Sequence, residues 1–266
     1  MASAVELELD IVIPVYNEGR NILPVLDSFA RHVSSRFRVL ICYDTDDDDT
    51  LAAIASHPDY PFEIRYVKNR GSGALGAVLT GFEESTAAAV LLMPADDDYN
   101  APRIDSMMER FREGNDIVAA SRFMPGGCMV GCPLLKSVLV RSSAAVLHGI
   151  ARLPTRDPSN GLRLFSSRVL RSIPIESRVG FAYSIELLVK CHRLGWHVAE
   201  VPFHWYERKA GQSRFKVVRW LPQYLQWFAY AFATTYLRRG PETVPLRPTS
   251  AEKVAAAIAP VADTRT

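Results

Sequence analysis

Cysteine is scarce in this chain of 266 residues, and the four present, Cys42, Cys128, Cys132 and Cys191, show neither a paired CxxC spacing nor a dense framework. Such scatter excludes a disulfide-stapled scaffold and leaves reduced thiols as the expected state. Cys128 and Cys132 with His192 or His197 offer zinc-binding chemistry, but their spacing does not require it. Long apolar runs are missing as well. The longest aromatic and aliphatic stretch, Trp220 to Leu237, is interrupted by Pro222, Gln223 and Gln226 and lacks the ~20 mostly apolar residues of a spanning helix. Glu6, Glu8 and Asp10 fall where the apolar core of a secretory leader would lie, so a cytoplasmic location is expected. Net charge is only +2, which removes any overall electrostatic case for a nucleic-acid partner.

With 48% hydrophobic and 23% charged residues, the composition is that of a globular protein able to bury a large core. Its charge is unevenly spread. Residues 203–240 carry Arg208, Lys209, Arg214, Lys216, Arg219, Arg238 and Arg239 against a single acid, Glu207. The C-terminal module is therefore basic.

Strand and helix patterns alternate through the first hundred residues. Leu9 to Val15 reads as a buried strand, followed by Ile22, Leu26, Phe29 and Val33 at helical spacing. Phe37 to Tyr43 is a second strand, closed by Asp44 and Asp46 to Asp49, with Thr50 opening a helical segment. Ile64 to Val67 and Val90 to Met93 supply two more strands, with a helix between them that starts in Gly71–Gly76. Such alternation predicts an α/β fold with a mostly parallel sheet covered on both faces. Ligands of such sheets lie beyond the carboxyl ends of the strands. Tyr16 to Glu18, Asp44 and the triplet Asp96, Asp97 and Asp98 all fall there. Clustered carboxylates repel unless a cation offsets them, and all-oxygen ligands suit Mg²⁺ or Mn²⁺. For the triplet alone, a solvated acidic turn is the alternative.

Gly71-Ser72-Gly73-Ala74-Leu75-Gly76 satisfies GxGxxG, and Asp96 lies 20 residues beyond it, as in a dinucleotide fingerprint. That reading leaves Asp97, Asp98 and the acids from Asp44 onward without a role. A glycine-rich turn opening a helix serves other phosphate-bearing or close-packed ligands equally well.

At this point the residues resemble inverting glycosyltransferases of family 2 with the GT-A fold, in particular the dolichyl- or polyprenyl-phosphate mannosyl- and glucosyltransferases. The resemblance spans roughly residues 9 to 220. Pro14-Val15-Tyr16-Asn17-Glu18 is similar to the family's P-x-Y-N-E opening, and Asp44, Asp48 and Thr50 match its later acidic segments, with Tyr43 in place of the first aspartate. Arg70, Gly71 and Gly73 resemble its basic, glycine-rich helix start. An ungapped comparison with the D-A-D motif puts Pro94 at the first aspartate, so the D-x-D shifts to Asp96 and Asp98. Alternate residues of an extended turn face the same way and can share one cation. Ala120 to Phe123 resembles G-S-R-Y, Asp157 to Arg163 the D-x-x-S-G-F-R block, and Gly180 to Glu186 the G-Y-A-F-x-x-E helix opening. Glu200-Val201-Pro202-Phe203 with Arg208, Gly211, Ser213 and Arg214 matches the E-V-P-I strand and R-x-x-G-x-S-K loop.

The resemblance implies hexose transfer from a nucleotide sugar to a lipid-linked phosphate. Asp96, Asp157, Arg122, Arg208 and Arg214 would carry the reaction. Pro14, Tyr16, Glu18, Asp44, Gly71, Gly73, Asp96, Glu186 and Ser213 would bind the donor, with Asp96 and Asp98 on Mg²⁺ or Mn²⁺. A phosphate acceptor is already anionic, whereas a hydroxyl acceptor would need Asp157 as base. The implied domains are a catalytic unit over 1–218, an amphipathic helix over 219–240 and a loosely ordered tail over 241–266. In the helix, Leu221, Tyr224, Leu225, Phe228, Phe232 and Tyr236 recur at helical spacing, as in a segment lying in a membrane interface. Packing on the sheet or in a homodimer is the alternative. The enzyme would sit peripherally at the cytoplasmic face of a membrane, and transmembrane partners accompany some members of the family. Two rivals remain: a nucleotidyltransferase, and a non-catalytic sugar-nucleotide- or lipid-binding module motivated by Pro94 and Tyr43.

Overall fold

The computed structural model describes residues 7–207 and 217–248. In chain order the elements are β1 (Leu9–Pro14), α1 (Gly19–His32), β2 (Phe37–Tyr43), α2 (Asp49–Ala55), β3 (Glu63–Lys68), α3 (Gly73–Glu84) and β4 (Ala89–Leu92). They continue through α4 (Ile104–Arg112), β5 (Ile117–Ser121), β6 (Cys128–Val130), α5 (Leu134–Ala145), β7 (Arg163–Ser166), α6 (Ser167–Ser172), α7 (Ala182–Arg193), β8 (Val198–Pro202), β9 (His204–Tyr206) and α8 (Val217–Tyr236). Seven strands form one sheet in the order β3-β2-β1-β4-β7-β5-β8, parallel except for β7, while β6 pairs with β9 in a separate ribbon. The expected α/β class and mostly parallel sheet are observed.

Alternation along β1 explains the two-sided core. Leu9, Ile11 and Ile13 face α1 and α4, meeting Ile22, Leu26, Phe29, Met107 and Met108. Val12 faces the other way, joining Leu40, Cys42 and Leu92 under α3 and α7, where Val78, Phe82, Tyr183 and Leu187 cover them. Asp10 shares that face at the amino end of the strand and is fully buried. Its carboxylate accepts from Arg38 at 2.9 and 3.0 Å, from the Ser85 hydroxyl at 2.7 Å and from the Thr86 and Ala87 amides. A buried carboxylate is tolerated when its lone pairs are filled in this way.

The C-terminal helix departs from the expected interface segment. α8 runs continuously through Pro222. Trp227 and Ala231 are buried against α7 and the one-turn π-helix Val146–Ile150, and Tyr224, Phe228 and Phe232 pack beside them. Much of its apolar stripe is thus used inside the protein, leaving Leu221, Leu225, Tyr236 and Leu237 outward. No helix among the described residues is long and apolar enough to cross a membrane. The first residues assigned to a loose tail are also docked: Pro241–Thr243 forms a 3₁₀ turn, Thr243 accepts from Arg193 at 3.1 Å, and the Arg247 amide donates to Ser172 at 2.7 Å.

Helix α3 crosses β1 and β2 at Gly81, where an added Cβ would lie 2.5 Å from Val12 Cγ1 and 2.8 Å from Cys42 Sγ. Gly81→Val is expected to lower unfolding stability by about 3 kcal/mol through overpacking, read from the denaturant midpoint at unchanged slope.

Candidate active site

The carboxyl ends of β1, β2, β4, β5 and β8 open on one edge of the sheet. Because β7 runs antiparallel, the segment preceding it reaches the same edge. The strand order reverses between β1 and β4, which is where open α/β sheets hold ligands. Pro14 ends β1, and Tyr16, 48% exposed, begins the loop on one side of that crevice. Asp96 to Asp98 stand on the other.

The loop after β1 is fastened by the start of α2. Asn17 adopts a left-handed conformation with φ of 54°, and its amide donates to both oxygens of Asp48 at 3.1 Å. The Glu18 amide donates to the Thr50 hydroxyl at 2.9 Å, and the Gly19 amide to Asp49. Asp48 also caps α2 by accepting from the Thr50 amide. Asp48 and Thr50, buried, therefore hold the loop from below. Glu18 accepts from Asn21 Nδ2 at 2.6 Å.

Asp44 links the second strand to α3. Its carboxylate accepts from Asn69 Nδ2 at 2.6 Å and from the Gly73 amide at 3.1 Å, occupying two of about four lone-pair positions. Asn69 in turn accepts from the Gly71 amide at 2.8 Å. A Cβ on Gly76 would meet Asn69 Oδ1 at 2.9 Å and the Gly71 carbonyl carbon at 3.1 Å. The GxGxxG pattern thus describes a turn folded tightly onto its own helix, with Gly73 at a φ of +63°. Arg70 points elsewhere, paired with Glu83 and Glu84.

The aspartate triplet splits by direction. Asp97 turns inward, with both oxygens accepting from Asn100 Nδ2 at 2.8 and 2.9 Å and Oδ1 also accepting from the Asn100 amide. Burial pushes its carboxyl up to about 6 against the opposing effect of the Asn100 bonds, with Asp96 adding a further push. Asp96 and Asp98 are half-buried. Among the described residues no three His, Cys, Asp or Glu side chains converge as an all-protein metal cage. Mg²⁺ does not need one, because it binds through one or two carboxylates with waters and substrate phosphates. Two hard carboxylates flanking an inward-turned third residue fit that donor set.

Asn100 also clasps β9: it donates to the His204 carbonyl at 2.8 Å and accepts from the His204 amide at 2.9 Å. His204 Nε2 lies 3.0 Å from the Gly126 carbonyl. Sequence reasoning passed over Asn69, Asn100 and His204. The three-residue spacing of Asp97 and Asn100, within reach of a carboxylate-to-amide bond, was the available signal for Asn100, whereas the His204 contact joins segments 104 residues apart.

Arg122 and Asp157 engage each other. Nε and Nη2 of Arg122 grip the two Asp157 oxygens at 2.6 and 2.8 Å, and the Arg122 amide adds a third bond at 3.0 Å. Asp157 is fully buried and Arg122 nearly so. The structure holds them in a bidentate ion pair that ties the end of β5 to the approach to β7. Arg163, also buried, donates to the carbonyls of Pro158 and Ser184, and burial lowers its guanidinium to about 10. Glu186 is likewise turned inward, accepting from the Glu176 and Ser177 amides and from Lys190 at 2.7 to 2.8 Å. Those partners set it to anchor the loop before α7. Arg208, Ser213 and Arg214 lie outside the described residues.

Comparison with known proteins follows the same lines. The family model described as Glycosyl transferase family 2 matches residues 10–173. A dolichol-phosphate mannosyltransferase of Pyrococcus furiosus is 24% identical over 79% of this chain, which spans 60% of that relative's length. A polyprenol monophosphomannose synthase of Mycolicibacterium smegmatis is 26% identical over 79% of this chain and 85% of its own. An undecaprenyl-phosphate mannosyltransferase of Micrococcus luteus is 28% identical over 76% of this chain and 85% of its own. Among solved structures, glucosyl-3-phosphoglycerate synthase from Mycobacterium tuberculosis, in complexes with UDP and with Mn²⁺ and UDP, shares the fold with a TM-score of 0.59. In the UDP complex the match covers 85% of this chain and 79% of that one at 20% identity. With its parallel sheet, its strand-edge acids and a family model spanning most of its length, this chain belongs to glycosyl transferase family 2.

Proposed function

We propose that this glycosyltransferase moves a hexose from GDP-mannose or a UDP-sugar to a polyprenyl or dolichyl phosphate, with inversion at the anomeric carbon. The observation that carries the choice of acceptor is the engagement of Asp157. A hydroxyl acceptor must lose a proton to a base, and Asp157, the carboxylate that the resemblance suggests for that task, is buried and gripped by Arg122 through both oxygens. A phosphate acceptor is anionic near neutral pH and needs none. The names of the relatives support the same acceptor and favour mannose.

In this reading the crevice between β1 and β4 takes the donor. Tyr16 and Glu18, on a loop already fastened by Asp48 and Thr50, face the nucleotide with Asp44 and the Gly71–Gly73 turn. Asp96 and Asp98 hold Mg²⁺ or Mn²⁺, which offsets charge on the leaving diphosphate. Arg208, Ser213 and Arg214, on the basic segment that follows β9, supply phosphate contacts, arginine being suited to bidentate recognition. Arg122 and Asp157 keep the acceptor side of the edge in shape. The catalytic unit comprises residues 1–218, working peripherally at the cytoplasmic face of a membrane.

Purified protein with a panel of GDP- and UDP-sugars, with and without a short polyprenyl phosphate, tests the proposal through nucleoside diphosphate release. Release is expected only with the lipid phosphate, and release indifferent to it would sink the acceptor assignment. Asp96→Ala and Asp98→Ala are each expected to reduce turnover about 10³-fold, as is EDTA, with Mn²⁺ restoring the chelated enzyme alone. Asp157→Asn and Arg122→Gln should each lower stability by about 3 kcal/mol. Their double variant should lose less than the sum by about 1 kcal/mol or more. A base role for Asp157 predicts the contrary pattern, lost turnover at unchanged stability.

A further inference from the structure

The outer face of α5 is apolar and open. Leu134, Leu135, Val138 and Leu139, at helical spacing that sets them on one side, are 81, 73, 51 and 60% exposed. Two of the helix's cations lie over rings of neighbouring segments. Lys136 lies over the Trp205 ring at 5.0 Å and Arg141 over the Phe123 ring at 5.0 Å. Its continuation is buried through Leu147 beside Trp227, and α8 grips the following turn by Tyr236 donating to the Ile150 carbonyl at 3.0 Å. Phe123 and Trp205 adjoin Arg122 and His204, so the open face borders the catalytic edge.

Charge identifies the occupant. Between Asp116 and Asp157 the chain carries no acid; Arg122 and Arg156 of that stretch are paired with Asp157 and Glu200, while Lys136, Arg141 and Arg152 are exposed. A second copy docking by the same face would bring like charges together. An anionic lipid surface complements both features, the leucines entering the acyl boundary and the flanking cations meeting headgroups. We propose that α5, rather than α8, is the face by which this enzyme docks on anionic phospholipid membranes. Its use in catalysis rests on the lipid-acceptor reading above, since it would turn the catalytic edge toward an acceptor anchored in the bilayer.

The test is sedimentation of the full chain with vesicles of equal parts phosphatidylcholine and phosphatidylglycerol, without polyprenyl phosphate, against pure phosphatidylcholine. Partition onto the anionic vesicles is expected, falling about tenfold or more in Leu135→Glu/Leu139→Glu and in Lys136→Glu/Arg141→Glu. Both variants alter exposed positions, and an unchanged thermal melt verifies that they fold. Undiminished vesicle binding by the leucine variant would overturn the proposal. So would failure of the parent chain to bind, or a dimer in sedimentation velocity that the leucine variant dissolves while neither protein binds vesicles. Turnover with a short, water-soluble prenyl phosphate separates the two readings. It should be the same in parent and leucine variant, and its absence from the parent would remove the lipid-phosphate acceptor while leaving the vesicle result standing.

Discussion

A buried ion pair fastens the strand edge on which this enzyme's candidate site depends. Arg122 stands at the end of β5 and Asp157 on the approach to β7, and their side chains meet in bidentate geometry with the Arg122 amide completing the grip. The pair exists because β7 runs against its neighbours, which brings a segment that precedes a strand to the edge where the other strands finish. Removing one partner of such a pair leaves an uncompensated charge away from water, a change costing about 3–5 kcal/mol. Arg163 reinforces the same junction from beneath by holding the carbonyls of Pro158 and Ser184. The edge is thereby shaped by charged groups that face the protein as well as by those that face the crevice.

That distinction marks how far the sequence could be read. The alternating apolar runs placed β1 to β4 and their helices within a residue or two, because strand and helix periods are local properties. The clustering of Tyr16 to Glu18, Asp44 and Asp96 to Asp98 at one edge followed from the same pattern. What the sequence withheld was direction. Asp157 and Arg122 carry residue types equally suited to catalysis or to mutual neutralisation, and only their proximity decides. Glu186 was open to the same ambiguity until its bonds to Lys190 and the 176–177 amides were visible. In α8 the apolar spacing was legible, but whether it met a bilayer or α7 depended on a contact between distant segments.

The loops that follow β1, β2 and β4 show a different economy of parts. Acids that look like a single string divide their work: Asp44 caps the glycine-rich start of α3, Asp48 caps α2 while holding Asn17, and Asp49 holds Gly19. Asp97 does the same within the triplet, fixing the turn that carries Asp96 and Asp98. Most of these carboxylates are satisfied by backbone amides, so the loops they shape are ordered before any ligand arrives. A ligand meeting such a surface avoids much of the entropic cost of arranging it.

The clasp at Asn100 has a consequence for communication across the edge. One side chain bonds Asp97 and, through both the nitrogen and the oxygen of its amide, the backbone of His204. The aspartate turn and β9 therefore cannot shift independently, and β9 runs directly into the segment bearing Arg208 and Arg214. Whatever coupling free energy this clasp carries from the aspartate turn to β9, it carries equally from β9 to the turn.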